Sequence, residues 1–118
     1  RDTEHERGVE LNLFISYGGR DEIVSACNDA ISDAVAGTLG DTPTLTEEQF
    51  EKYLLTHGVP DPDLLVRTSG ECRLSNFLLY QLAYSEFQFV PKCFPELERA
   101  DVEDMVAQFA SRSRRFGK

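Results

Sequence analysis

Hydrophobic runs are short throughout this 118-residue chain: none approaches the roughly 18 consecutive apolar residues that cross a bilayer. A spanning segment is therefore excluded, and the first residues do not read as a signal peptide. Positive charge is also scarce, with 12 Lys and Arg against 21 Asp and Glu and a formal net charge of -9. That balance argues against a nucleic-acid partner, because affinity for such polymers comes from surplus cations that neutralise phosphates. Cysteine occurs at only three positions, Cys27, Cys72 and Cys93, none in a C-x-x-C pair. An odd, widely spaced set supports neither a disulfide framework nor a zinc site and fits a reducing, cytoplasmic compartment. No G-x-G-x-x-G is found, and no Walker lysine follows the glycines at 18 and 19.

What remains is an ordinary globular composition, 41% apolar and 28% charged, long enough for one core and one domain. Charge is unevenly spread. Residues 112–118 (RSRRFGK) hold four of the twelve basic residues and no acid, leaving eight against 21 acids elsewhere. The tail is a local basic patch able to meet an anion that the acidic body would repel.

Periodicity organises the rest. The near-continuous apolar run Leu11–Tyr17 predicts a strand covered on both faces, and Gly18 and Gly19 a turn after it. A helix over 21–36 follows, with Asp21 and Glu22 in its first turn and Ile23, Cys27, Ile31 and Val35 on one stripe, and Gly37 stops it. Thr46 and Gln49 form a capping box, with Leu45 and Phe50 at the staple positions, so a helix starts at Glu47 and ends near His57 and Gly58. The prolines at 60 and 62 forbid its continuation. Then come a strand Leu64–Thr68, a glycine loop, a helix 75–84, a strand Phe87–Val90 and a final helix capped by Asp101, with Val102, Met105, Val106, Phe109 and Ala110 inward. Strands alternating with helices predict an α/β fold with a partly parallel open sheet. Three strands make a small sheet, and further strands are expected upstream of Arg1.

The stretch 61–86 concentrates the chemistry. Arg67 ends an apolar strand, where open α/β sheets bind their ligands. Arg73 stands six residues on, Gly70 lets backbone approach a ligand, and Ser75 falls at the predicted helix N-terminus. Two planar guanidinium forks around such a loop suit a phosphate or carboxylate; the plainer alternative pairs them with surface carboxylates and leaves Ser75 a cap. Glu86, between an apolar helix and a strand, is suited to share a Mg²⁺ with a diphosphate, since that hard cation takes one or two carboxylates plus phosphate oxygens. Alternatively it is one solvated acid among many. His5 and His57 are isolated and need no catalytic role.

These residues carry a family resemblance. DPDLLVRTSGECRLSNFLLYQLAYSE resembles the signature of the cis-prenyltransferases, the undecaprenyl and dehydrodolichyl diphosphate synthase family, LNLFISYGGRDEIV resembles its other C-terminal signature, and Arg115-Phe116-Gly117 resembles its Arg-x-Gly tail. The resemblance implies elongation of a farnesyl-type allylic diphosphate by isopentenyl diphosphate, with Mg²⁺, to a Z-polyprenyl diphosphate. It implies that Arg67, Arg73 and Ser75 hold isopentenyl diphosphate, that Glu86 helps bind the metal, and that Gly117 closes over the diphosphates, with Asn12, Arg20 and Arg115 in support. A homodimer is expected, with a heterodimer open, and contact with a membrane only peripheral, through the lipid product. The Asp-Gly-Asn-x-Arg loop of the family's N-terminal half does not occur here, so the chain is expected to be the C-terminal half, to contain no catalytic residue and to be inactive alone. PKCFPEL stands where the family has Leu-Trp-Pro. The alternative role is a non-catalytic activating subunit of a heteromeric synthase. Such subunits resemble this chain in the tail but lose the Arg-Thr-Ser-Gly-Glu loop, which Arg67–Glu71 retains.

Overall fold

The computed structural model describes residues 8–112. Helix α1 spans Gly19–Val35, α2 Glu47–Glu51 and α3 Arg99–Ser111; strands β1 (Leu64–Arg67) and β2 (Glu86–Phe89) pair in parallel, and a short 3-10 turn covers Phe94–Glu96.

The helix ends follow local chemistry. Asp21 and Glu22 sit in the first turn of α1. At its C-terminus Gly37 adopts φ +84°, its N–H bonds Ala34 O at 3.1 Å, and the Thr38 N–H bonds Asp33 O at 3.1 Å. This is the Schellman pattern, which satisfies two carbonyls left open by the last turn. Helix α2 opens on the expected capping box: the Gln49 N–H donates to Thr46 Oγ1 at 3.1 Å and the Thr46 N–H to Gln49 Oε1 at 2.9 Å. It is shorter than its pattern predicts. After Glu51 the chain tightens into i→i−3 bonds, among them Leu54 N to Glu51 O and His57 N to Leu54 O, before Gly58 turns it at φ +89°.

The buried stripe of α1 is Glu22, Ala26 and Ala30, one position away from the predicted one; Cys27, Ile31 and Val35 are exposed. Small alanines permit close approach, and the bulkier side of the helix has no cover among the described residues. Apolar burial is correspondingly sparse, with Ala26, Ala30, Leu54, Leu78, Leu82 and Met105 forming the described core. A polar knot joins three of its elements. Glu22, 4% exposed, accepts hydrogen bonds from the Tyr17 hydroxyl, from the Leu55 N–H at 2.9 Å and from Gln81 Nε2 at 3.1 and 3.2 Å. Gln81 Nε2 also reaches Thr56 Oγ1 at 3.0 Å, while its Oε1 is buried without a partner. The carboxylate explains that orientation, since the flipped amide would face it with oxygen.

Four further expectations need correction. Leu11–Tyr17 forms no strand: the segment is irregular, and Leu11, Leu13 and Ile15 are 63, 76 and 84% exposed. A strand exists only by pairing, and no described strand lies beside this one. Residues 75–84 form turns instead of a helix, because Ser75, Asn76 and Leu78 take positive φ (52°, 66° and 42°), which interrupts the helical ladder. Of the inward face predicted for α3, only Met105 is buried; Val102, Val106 and Ala110 are exposed. Glu98, and not Asp101, is the N-cap of α3, the Asp101 carboxylate accepting the Glu98 N–H at 2.8 Å.

Candidate anion-binding site

Parallel pairing sets the geometry. Leu64 faces Glu86 and Arg67 faces Phe89 in register, so Arg67 lies at the C-terminal end of the sheet and Glu86 at its start. At about 3.3 Å per residue the two ends stand about 10 Å apart.

At the C-terminal end, Arg67 is half-buried, and one of its Nη1 hydrogens is given to the Arg73 carbonyl at 2.7 Å. That bond holds the Arg73 backbone against the strand end at which Arg67 lies. The turn is made by Ser69 and Gly70, both left-handed at φ 65° and 71°. It is pinned from behind, as the Ser69 N–H donates to Lys92 O at 2.8 Å and the Gly70 N–H to Val90 O at 2.9 Å. Lys92 is in turn fixed to α3, its ammonium bridging both oxygens of Asp101 at 3.2 and 2.9 Å. The Asp101 carboxyl is held below its ordinary pKa first by the Glu98 N–H and then by Lys92, while Lys92 is raised by the same pair.

Among the described residues Arg73 has one charged partner, Glu71 at 3.7 Å, with side chains 74 and 44% exposed. A pair this open contributes little and leaves the guanidinium free to exchange it for an anion. Ser75 is exposed in the same loop, in a left-handed turn and not at a helix N-terminus. Arg20, exposed in the first turn of α1, is tied to this loop through its backbone, whose N–H donates to Asn76 Oδ1 at 2.9 Å. Arg67, Arg73, Ser75 and Arg20 are thus brought into one neighbourhood.

The remaining expected residues are not. Asn12 lies in the unpaired segment, its amide 3.5 Å from Glu10 Oε1. Nearby, Phe14, Tyr17 and Phe77 form an edge-to-face cluster with centroids 5.0 to 5.7 Å apart, which moors that segment beside the turns after Ser75. Gly117 and Arg115 lie outside the described residues. Glu86, with its side chain 19% exposed, is paired with Arg112 at the end of α3, Nη1 to Oε2 at 2.9 Å. As a hard oxygen donor it suits Mg²⁺, but no cluster of three metal-ligating side chains occurs among the described residues. Further ligands would have to come from substrate phosphates or from other protein groups.

Beyond the other end of β1 lies a patch of opposite character. The half-buried Tyr80 hydroxyl donates to Glu51 at 2.9 Å, and its pKa is pushed up to about 12, mainly by burial and then by that bond. Asp61 is raised by burial and by the charge of Glu51. Cys27, Cys72 and Cys93 are free and exposed. Sequence reasoning passed over Asn76 and Gln81, and it counted Arg112 in the basic tail without its pairing to Glu86. For Glu22 it registered only a helix-start acid, since burial of a carboxylate leaves no periodic signal.

Comparison with known proteins bears on this arrangement. The family model "Putative undecaprenyl diphosphate synthase" matches residues 1–117. An isoprenyl transferase of Listeria innocua is 48% identical over 117 residues, 98% of this chain and 46% of that protein. A tritrans,polycis-undecaprenyl-diphosphate synthase (geranylgeranyl-diphosphate specific) of Pyrococcus abyssi is 46% identical over 118 residues, all of this chain and 44% of that protein. Among solved structures, lavandulyl diphosphate synthase from Lavandula x intermedia, in complex with dimethylallyl diphosphate, superposes with a TM-score of 0.81 at 42% identity, covering 88% of this chain and 44% of that one. The chain spans about half the length of the curated relatives it matches.

Proposed function

The chain belongs to the undecaprenyl diphosphate synthase family, and from that premise we propose that it is the diphosphate-binding portion of a cis-prenyltransferase. The reaction is elongation of an allylic diphosphate by isopentenyl diphosphate to a Z-polyprenyl diphosphate. In this reading Arg67, Arg73 and Ser75 bind the diphosphate of isopentenyl diphosphate, with Arg20 and Asn12 in support. Glu86 supplies one carboxylate to Mg²⁺, which would neutralise diphosphate charge, and Arg115 and Gly117 belong to a basic tail that covers the site. The protein works as a dimer in the cytoplasm, touching membrane only through its lipid product.

One observation carries the reading: the Arg67 guanidinium at the end of a parallel strand donates to the Arg73 backbone carbonyl at 2.7 Å, which ties the loop bearing a second, 74% exposed arginine to the strand end where α/β sheets bind ligands. The same loop favours a catalytic subunit over an activating one, since a subunit that binds no isopentenyl diphosphate has no need of it. In a complete protein containing this chain, Arg67→Ala and Arg73→Ala are each expected to weaken isopentenyl diphosphate binding by roughly tenfold or more, as charge-assisted bonds are lost. Titration calorimetry reads this directly. Unchanged affinity in both variants removes the assignment, and the 118-residue chain alone should form no polyprenyl product.

A further inference from the structure

Helix α1 begins without a side-chain cap of its own: Gly18 is its N-cap, and no side chain within the segment accepts a first-turn N–H. Four amides at a helix start need acceptors. Asn76, more than fifty residues away in sequence, provides two. Its backbone carbonyl accepts the Gly19 N–H at 2.6 Å and its side-chain Oδ1 accepts the Arg20 N–H at 2.9 Å.

Close contact makes the arrangement possible. A Cβ on Gly18 would come within 2.9 Å of Asn76 Nδ2, and one on Gly19 within 2.9 Å of Leu79 Cγ and 3.1 Å of the Asn76 carbonyl oxygen. The glycine pair therefore permits a helix start to abut the turns that follow Ser75. Asn76 itself holds φ 66°, a left-handed conformation that asparagine tolerates better than most residues. A glycine pair, a left-handed asparagine and an uncapped helix, each unexplained alone, are parts of one clamp.

We propose that Asn76 is a positioning residue of the diphosphate site. By capping α1 from across the fold it locks the Arg67–Ser75 loop to the first turn of that helix, so that Arg20, Arg73 and Ser75 act as one anion-binding surface. The inference rests on the reading of Arg67 and Arg73 as diphosphate ligands, and it assigns Asn76 no contact with the ligand.

The test separates side chain from backbone conformation in the complete protein, with inorganic diphosphate as the calorimetric probe. Asn76→Gly keeps the left-handed backbone and removes Oδ1; affinity is expected to fall roughly fivefold to tenfold, about one hydrogen bond's worth of positioning. Asn76→Asp keeps the acceptor and is expected to leave the Arg20 amide as protected as in the parent, although its added negative charge weakens diphosphate binding. Amide hydrogen exchange supplies a readout that simple destabilisation would not give: Arg20 should lose protection in the glycine variant while Gly19 keeps it. Parental affinity in Asn76→Gly, with Arg67→Ala and Arg73→Ala both weakened, overturns the positioning role. Parental affinity in the arginine variants overturns the diphosphate reading and the inference with it. Gly19→Ala gives an independent check, since its added methyl would meet the Asn76 carbonyl oxygen at 3.1 Å and the Leu79 nitrogen at 3.2 Å, and should push the loop away and weaken diphosphate binding.

Discussion

Glu22 and Glu86 are both carboxylates withdrawn from solvent, yet the fold treats them oppositely. Glu22 is surrounded by donors that carry no charge: a tyrosine hydroxyl, a glutamine amide and a backbone N–H, all contributed by elements packed around it. Among the described residues Glu86 has one cationic partner, Arg112, on a side chain 48% exposed at the end of α3. Fixed neutral dipoles solvate a carboxylate permanently and leave no lone pair for a visitor. A single long arginine holds its partner for little net energy and can swing away. The difference marks Glu22 as part of the scaffold and Glu86 as a group a ligand can claim.

The largest effect follows from breaking the first member of that pair. Glu22→Ala would leave Gln81 Nε2, the Leu55 N–H and the Tyr17 hydroxyl facing a cavity, and the expected loss is about 3 kcal/mol of unfolding free energy. Urea unfolding should show the midpoint falling at unchanged slope. A loss under about 1 kcal/mol would mean that water replaces the carboxylate and that the knot holds nothing together.

How much of this could be read beforehand depended on how local each cause was. The Thr46 and Gln49 capping box and the Gly37 stop of α1 are decided within a few residues, and both stand as expected. The strands β1 and β2 were legible to within a residue at each end. Leu11–Tyr17 has as strong a strand pattern as Leu64–Arg67, yet only the latter has a neighbour to pair with. The turns at 75–84 escaped for a similar reason: their course is tied to α1 through Asn76, a contact between distant residues that no window of sequence contains. Grouping Arg67 with Arg73 needed only a strand and a short loop, and it was legible. That Glu86 lies at the other end of the sheet depends on register, which pattern alone does not supply.

Perturbing the second carboxylate sharpens the contrast. Glu86→Gln and Arg112→Gln should each change stability by at most about 1 kcal/mol, in keeping with a partly exposed ion pair. If Glu86 is the metal ligand proposed, Glu86→Gln should also weaken Mg²⁺ binding on the order of tenfold or more, measured by calorimetry in the presence of isopentenyl diphosphate. Arg112→Gln should strengthen it, because the competing cation is gone. A large stability loss with unchanged Mg²⁺ affinity would place Glu86 with Glu22 as scaffold.

Tyr80 and Glu51 form the intermediate case, a neutral donor on a carboxylate at a half-buried site, and their effect should be the smallest. Tyr80→Phe removes one hydrogen bond and should cost roughly 0.5 to 1 kcal/mol at neutral pH. The pH dependence identifies it. The Tyr80 hydroxyl, ordinarily ionising near 10, is pushed up to about 12 in the folded chain, chiefly by burial and then by its bond to Glu51. Between those values the unfolded chain has released the proton and the folded chain still binds it, so stability falls as pH rises. The contribution is complete below pH 10 and is gone once the folded hydroxyl has itself ionised. In Tyr80→Phe the decline across that window should be visibly shallower, as followed by urea midpoints at pH 9, 10, 11 and 12 in both proteins. Parallel declines would show that the hydroxyl titrates as it does in water, and that half-burial beside one carboxylate is too little to reproduce what Glu22 receives from three elements.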